Sequence, residues 1–209
     1  MNTRPLIDPT DPRLSTLTLA SGGHESPDQG MCFMEAVAWL RNSDAEPMDF
    51  NDAPRCVAPT IRSCGIGLND GIKDAAVRTA LLKPLIPVVV GTATTAADEQ
   101  TRAWLATDFL VRQCLPAWLE CAGGEKLLAH AANLRASALL TNAEIAQGMQ
   151  GLLEEAQTDS VAAWDAAGAA KSYSYQVMCD AAMARIKPTA DRLNAECADL
   201  IRRMAEVGR

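Results

Sequence analysis

The spacing of apolar residues is helical over most of the chain. From residue 26 onward, apolar side chains recur at steps of three and four, which is the period of an amphipathic α-helix. The clearest stretch is 97–115, ADEQTRAWLATDFLVRQCL, which follows an N-cap signal at Thr95 and Asp98 and is closed by the glycine pair 123–124. This pattern predicts a mainly α protein, built as a compact multi-helix domain.

Local start and stop signals give the expected bounds of these helices. Ser26-Pro27-Asp28-Gln29 has an N-cap serine, a proline at the first helical position and a glutamine three residues after the cap. We therefore expect a capping box here and a helix that runs to about Arg41. Further helices are expected over 59–69, 74–82, 97–121 and 125–137, from 141, over 160–187, and from 188 onward. We expect the helices to pack around Trp39, Trp104, Phe109 and Trp118.

The N-terminal end of the chain differs from this helical pattern. Prolines at positions 5, 9 and 12 disfavour helix, so residues 1–13 are expected to form an extended N-terminal arm. The alternation in 14–19, LSTLTL, predicts either one short edge strand or a segment that lies on the core. We expect a helical core domain over 14–140 and an alanine-rich helical extension over 141–209.

The last segment of the extension carries a stripe of apolar residues. They alternate in steps of four and three, which is the spacing of a helix packed against a partner helix: Ile186, Ala190, Leu193, Cys197, Leu200, Met204 and Val207. The extension is therefore expected to form a hairpin on the core or a self-association surface. Its three heptads are too few to require a free coiled coil.

Composition excludes several classes of protein. With 48% apolar and 22% charged residues in 209, the chain has the composition of a soluble globular protein. No apolar run approaches the roughly 20 residues of a membrane span, and the N-terminus lacks the apolar region of a secretory signal, so we expect a cytoplasmic protein without a membrane partner. The formal net charge of -7 argues against nucleic acid and leaves open an acidic surface that docks onto a basic partner.

The cysteines raise the question of a metal site. Seven cysteines without a CxxC pair are expected to be reduced and mostly buried. His24, Cys32, Cys56 and Cys64 are nevertheless the right ligand types for tetrahedral zinc. Their spacing is poor for a structural zinc site, and buried cysteine as a small apolar side chain is the competing interpretation. Zinc therefore stays a possible cofactor that the sequence does not decide.

A second hypothesis concerns thiol chemistry at the same residues. Cys32 would lie on the second turn of the expected helix, whose N-terminus favours a thiolate. His24 could fold back as a base, oriented by Glu25 or Glu35. The flanking residues MCFM are apolar, however, and such surroundings raise the pKa of a thiol.

Two carboxylates are expected on otherwise apolar helix faces. Glu35 shares a stripe with Cys32, so it needs a partner or a shifted pKa. An arginine from another helix, Arg62, Arg102 or Arg112, is the simplest partner. Asp108 lies four residues before Arg112, and this spacing predicts a pair between them.

Five motifs occur in order along residues 17–135: GGHESPDQGMCFMEAV, DAPRCVAP, LND, LKPLIPVVVGTA and RAWLATDFLVR. Together they resemble a family of uncharacterised proteins from bacteria and their phages. The resemblance implies a prokaryotic or phage origin and a common core, with the C-terminal helices outside it. No activity is established for that family, so it implies no catalytic or binding residues.

Two functions follow as expectations. The chain has none of the usual phosphate-loop, dinucleotide, zincin or hydrolase signatures, which favours a non-enzymatic protein that binds a partner or self-associates through 141–209, with possible interference with a host system. The alternative is a metal-dependent or thiol-dependent enzyme, or a zinc-stabilised domain, centred on His24, Cys32 and Cys56.

Overall fold

The computed structural model describes the backbone of residues 7–41, 50–169 and 175–209, and the side chains of these residues outside 163–185. Every regular element in these ranges is helical, which confirms the mainly α prediction. The α-helices are α1 Pro12–Thr16, α2 Phe33–Arg41, α3 Pro59–Gly71, α4 Ala75–Leu82, α5 Ile86–Val89, α6 Ala96–Phe109, α7 Leu115–Ala122, α8 Glu125–Ala136, α9 Ala143–Gly148, α10 Gln150–Ala169 and α11 Tyr175–Glu206. Two 3-10 turns, Pro27–Gln29 and Lys83–Leu85, and a π-helical stretch, Leu110–Cys114, complete the set.

The chain divides into two compact units. Unit 1 comprises residues 1–103 and 194–209, and unit 2 comprises residues 104–193. This division differs from the boundary at residue 140 that the sequence predicts. Both unit boundaries fall inside long helices, α6 and α11, where no change of composition marks them.

The core of unit 1 is formed by α2, the helices that follow it and the end of the chain. Its fully buried side chains include Phe33, Met34, Ile61, Leu82, Leu85, Ile86, Leu200, Ile201 and Met204. Helices α2 and α3 approach closely at Gly65, where an added Cβ atom would lie 2.8 Å from the Phe33 ring. A glycine at this position therefore sets the distance between the two helices.

The N-terminal segment of unit 1 decides between the two alternatives for residues 14–19. Residues 14–19 contain no strand: α1 covers Pro12–Thr16, and the side chain of Asp11 accepts a hydrogen bond from the N–H of Arg13 at its start. Leu14, Leu17 and Leu19 are buried, as expected for a segment that lies on the core. Residues 1–6 of the expected arm lie outside the described residues, and Ile7 is already buried.

The C-terminal turns of α11 belong to unit 1. Leu200 and Met204, from the predicted stripe, are fully buried. The Arg102 side chain, also fully buried, donates to the carbonyl oxygens of Met204 (3.0 Å) and Val207 (2.6 Å). Both carbonyls lie at the C-terminal end of α11, where a cation is favourable. The stripe is therefore covered within the chain at these positions.

Unit 2 has its own small core. It comprises Leu119, Leu127, Ala131, Leu134, Leu140, Met149 and Ala156, from α7, α8, α10 and the segments between them. The predicted pair of Asp108 and Arg112 forms, with 3.3 Å between Oδ1 and the guanidinium, and both side chains are half-buried. The same carboxylate accepts from the N–H of Leu140, and Arg112 donates to the carbonyl of Arg135. The pair thus fixes the end of α8 and the chain that follows it.

The expected aromatic core is correct only in part. Phe109 is buried, and Trp39 is half-buried with the Arg13 guanidinium 5.2 Å above its ring. Trp118 is 41% exposed, so it is not a core residue of unit 2. Among the described residues, no helix is long and apolar enough to cross a membrane.

Candidate functional site at the start of α2

The helix predicted from Ser26 begins later. Pro27–Gln29 form only a 3-10 turn, and the Ser26 side chain makes no capping hydrogen bond. The turn ends at Gly30, whose φ of 121° is open to glycine and strained for other residues. The proline and glutamine signals therefore start a turn, and α2 begins at Phe33.

The N-cap of α2 is Cys32, which forms a capping box with Glu35. The carbonyl of Cys32 accepts from the N–H of Ala36 at 3.0 Å. The Glu35 carboxylate accepts from the N–H of Cys32 at 2.7 Å, and the N–H of Glu35 points back to the Cys32 sulfur at 3.5 Å. This is the reciprocal pattern of a Ser-x-x-Glu box, with a thiol in place of the hydroxyl.

Glu35 also holds His24. One carboxylate oxygen accepts from the N–H of His24 at 2.7 Å, and the other accepts from Nδ1 of its ring at 2.8 Å. An ionised carboxylate only accepts hydrogen bonds, so Nδ1 carries the proton. The predicted arginine partner of Glu35 is therefore wrong: the partners are His24 and the backbone, while Arg102 binds the end of α11 instead.

The electrostatics of Glu35 favour its charged form. The residue is 2% exposed, and burial by itself works to raise the pKa of the carboxyl group. The N–H groups of Cys32 and His24 and the His24 ring outweigh burial and hold this pKa below its ordinary value. The N-terminus of α2 adds a favourable dipole. Glu35 is thus a saturated carboxylate with no proton to donate at neutral pH.

Cys32 has the properties of a structural thiol. Burial, together with the adjacent negative charge of Glu35, raises its pKa to about 12. The nucleophilic form of cysteine is the thiolate. The thiol is therefore protonated at neutral pH, and its sulfur serves as a hydrogen-bond acceptor for the helix.

Further hydrogen bonds hold the loop formed by residues 20–31, the anchored loop. Its ends meet where the N–H of Ala20 donates to the carbonyl of Met31 at 2.8 Å. Asn69, fully buried on α3, donates to the carbonyl of Ala20 and accepts from the N–H of Phe33. Asp70 accepts from the N–H of Gly22 at 2.9 Å, and this bond lowers the pKa of Asp70.

Arg78, on α4, also holds this arrangement in place. Its side chain is 4% exposed and donates to the carbonyls of Leu19, Asn69 and Ile72. Two of these carbonyls lie at the C-terminal end of α3, where a cation is favoured. Arg78 therefore ties the start of the anchored loop to the end of α3.

His24 and Gly30 fit together within the loop. An added Cβ atom on Gly30 would lie 3.1 Å from both Nε2 of His24 and the Cβ of Ala20. The His24 ring is only 13% exposed. The glycine is thus needed for its backbone conformation and for the space that the ring occupies.

The predicted zinc ligands do not assemble. Among the described residues, no group of three or more His, Cys, Asp and Glu side chains is arranged to hold a metal ion. His24 and Cys32 meet only through Glu35. Cys56 is buried, and its carbonyl accepts from Gly91 and Ala93. Cys64 is half-buried on α3, and burial raises the pKa of its thiol.

Sequence patterns did not single out several polar contacts. Asn69 and Arg78 follow from no local motif, because their partners lie up to 59 residues away. In unit 2, Nε2 of His130 lies 2.9 Å from Asp159, which also lies 3.5 Å from the Lys126 ammonium. These bonds lower the pKa of Asp159, the His130 bond most. An acidic residue on one helix and a histidine on another give no signal until the helices pack.

Comparison with profiles of known protein families, with curated proteins and with solved structures found no match to this chain.

Proposed function

We propose that this protein is a non-enzymatic binding protein that presents the anchored loop to a protein partner. The observation that carries the proposal is that several buried polar side chains form hydrogen bonds to one exposed loop. Glu35, Asn69 and Arg78 are all buried, and each is bonded to the loop or to its first flanking residue. Buried charged groups are costly to desolvate, so their use for one loop indicates that its conformation matters.

The shape of the loop supports the same function. Its ends are close, its interior is filled by the His24 ring, and its apex faces solvent, which are the features of an Ω-loop. Loops that a rigid scaffold positions often carry binding functions. A loop that is already ordered loses less conformational entropy when a partner binds.

The exposed residues of the loop suggest the character of the partner. Glu25 and Asp28 are exposed, while the neighbouring Asp70 carboxylate accepts from Gly22. The whole chain carries a formal net charge of -7. A basic protein surface is therefore the complementary partner, and electrostatic attraction would speed its association.

The alternative of thiol-dependent catalysis receives less support. Its nucleophile would be Cys32, a buried thiol with a pKa of about 12 that caps a helix. Its orienting carboxylate, Glu35, is fully occupied by hydrogen bonds. Both groups serve the start of α2 and the loop.

The test is a charge reversal at the loop apex. We compare the tagged wild-type protein, Glu25→Lys/Asp28→Lys and the control Glu154→Lys/Glu155→Lys, which makes the same charge change at exposed residues of unit 2. After cross-linking in the organism that encodes the protein, mass spectrometry should recover one partner with the wild type and the control, and lose it with the loop variant. Equal recovery from all three proteins, or recovery from none, would contradict the proposal.

A further inference from the structure

Unit 1 also has a cleft, built from residues other than those of the anchored loop. It lies between the start of α1 and the turn that follows α4, and its volume is about 530 Å³. This volume falls within the range of small-molecule sites. The residues that define its chemistry are Pro9, Pro12, Leu14, Lys83, Pro84 and Pro87.

The walls of this cleft are mainly apolar. Four of the lining residues are prolines, which have no N–H to donate, and Leu14 adds an aliphatic side chain. Flat aromatic groups and proline rings are complementary surfaces, as in the recognition of proline-rich segments. The walls therefore suit an aromatic ring better than a polar group such as a sugar.

One charge in the cleft is already neutralised and the other is not. Asp11 is paired with Arg13 at 2.8 Å, and the hydrogen bonds from Arg13 hold the pKa of Asp11 below its ordinary value. The Lys83 ammonium donates to the carbonyls of Ser15 (3.4 Å) and Leu17 (3.3 Å). Within the described part of the chain, no carboxylate lies within ion-pair distance of Lys83.

We propose that the cleft binds an aromatic carboxylate, with the ring against the prolines and the carboxylate on the Lys83 ammonium. An ammonium has three N–H donors, and the two long bonds to carbonyls leave one free for a ligand oxygen. A ligand of about ten heavy atoms should bind with a Kd of about 1 mM.

In the experiment, the purified full-length protein is titrated with four probes. Binding is measured from the amide chemical shifts of Thr10 and Ser15 in ¹H–¹⁵N NMR spectra. Phenylacetate should bind with shifts confined to the cleft. Phenylacetamide, which lacks the charge, and acetate, which lacks the ring, should each bind about tenfold more weakly. N-acetyl-glycyl-phenylalanine presents the same chemistry at a peptide C-terminus; tighter binding of this probe would identify a polypeptide source, and weaker binding a free acid.

Variants distinguish a charge contact at Lys83 from non-specific apolar binding. Lys83→Gln should weaken phenylacetate about tenfold and make it equal to phenylacetamide, while Lys83→Arg should retain the preference. Lys126→Gln removes an exposed charge in unit 2 and should change nothing. If the wild type binds phenylacetate and phenylacetamide equally, the proposal is overturned, and this comparison does not require Lys83→Gln to fold. If Lys83→Gln folds and binds phenylacetate as tightly as the wild type does, the proposal is also overturned.

Discussion

Replacing Glu35 with glutamine should destabilise unit 1 and loosen the anchored loop. The carboxylate accepts from the N–H of His24 on one oxygen, and from the N–H of Cys32 and the His24 ring on the other. A glutamine has one acceptor oxygen, so its best orientation keeps the two bonds on one side. Its NH₂ group then faces the N–H of His24, and this donor is left without a partner.

The size of the effect follows from these bonds. Two charge-assisted hydrogen bonds become neutral, at a cost of about 1 kcal/mol each, and one buried donor loses its acceptor, at a cost of about 1–3 kcal/mol. The free energy of unfolding should therefore fall by about 3–5 kcal/mol. With a urea dependence of about 2 kcal/mol per molar, the unfolding midpoint should move down by about 1.5–2.5 M.

The effect should depend on pH in one direction. The pKa of Glu35 is lower in the folded protein than its ordinary value of 4.5. A carboxyl group with a lowered folded pKa stabilises the protein above its unfolded pKa and loses this contribution as the pH falls through the folded value. The difference between the wild type and Glu35→Gln should thus be full above pH 4.5 and shrink below it.

The assay combines urea unfolding at several pH values with amide hydrogen exchange. The N–H groups of His24 and Cys32 should exchange at least tenfold faster in the variant, because they lose their acceptor or part of its charge. Glu25→Gln makes the same charge change at an exposed loop residue and serves as the control. A Glu35→Gln protein within about 0.5 kcal/mol of the wild type at neutral pH, or a difference as large at pH 3 as at pH 7, would refute the role of Glu35 as the charged anchor of the loop.

Three further predictions test other parts of the structure. Cys32 should resist iodoacetamide at pH 8 in the folded protein and react after unfolding, because it is buried and its pKa is about 12. Mass spectrometry measures the two rates of alkylation, and equal rates would show that the thiol is accessible in the folded protein. Gly65→Ala should lower the free energy of unfolding, measured with urea, by about 1–3 kcal/mol, because the added Cβ would clash with the Phe33 ring. Gly67→Ala on the same helix adds a Cβ with no neighbour and should be neutral or stabilising, so equal effects would count against close packing of α2 on α3. A chain without 141–209 should fail to fold unit 1, because it lacks buried core residues, and a cooperative thermal transition of this chain would disprove that role.

The pairing of Asp108 with Arg112 shows what spacing alone predicts well. Residues four apart on a helix are neighbours whatever the rest of the chain does, so a helical period predicts the contact directly. The burial of Leu200 and Met204 follows for the same reason, because an apolar stripe must be covered by something. The identity of the covering surface is not a local property, so the spacing left a hairpin on the core and a self-association surface as alternatives.

The start of α2 shows where local signals compete. Ser26, Pro27 and Gln29 form a recognised helix-start pattern, but Gly30 breaks it after one turn. The residues CFME that follow contain the same spacing with a thiol at the cap, which is not a usual capping residue. The sequence therefore predicted a capping box of the right kind, and placed it on the wrong residues.

By itself, the sequence determined that the chain folds as helices and that His24, Cys32 and Glu35 are the residues near the start of α2 that need an explanation. Only the tertiary structure decided what they do, because the roles of Glu35, Asn69 and Arg78 depend on donors and carbonyls brought together from three separate segments. Helical period is a property of neighbouring residues, whereas the desolvation that makes Cys32 inert arises only when the whole of unit 1 packs around it.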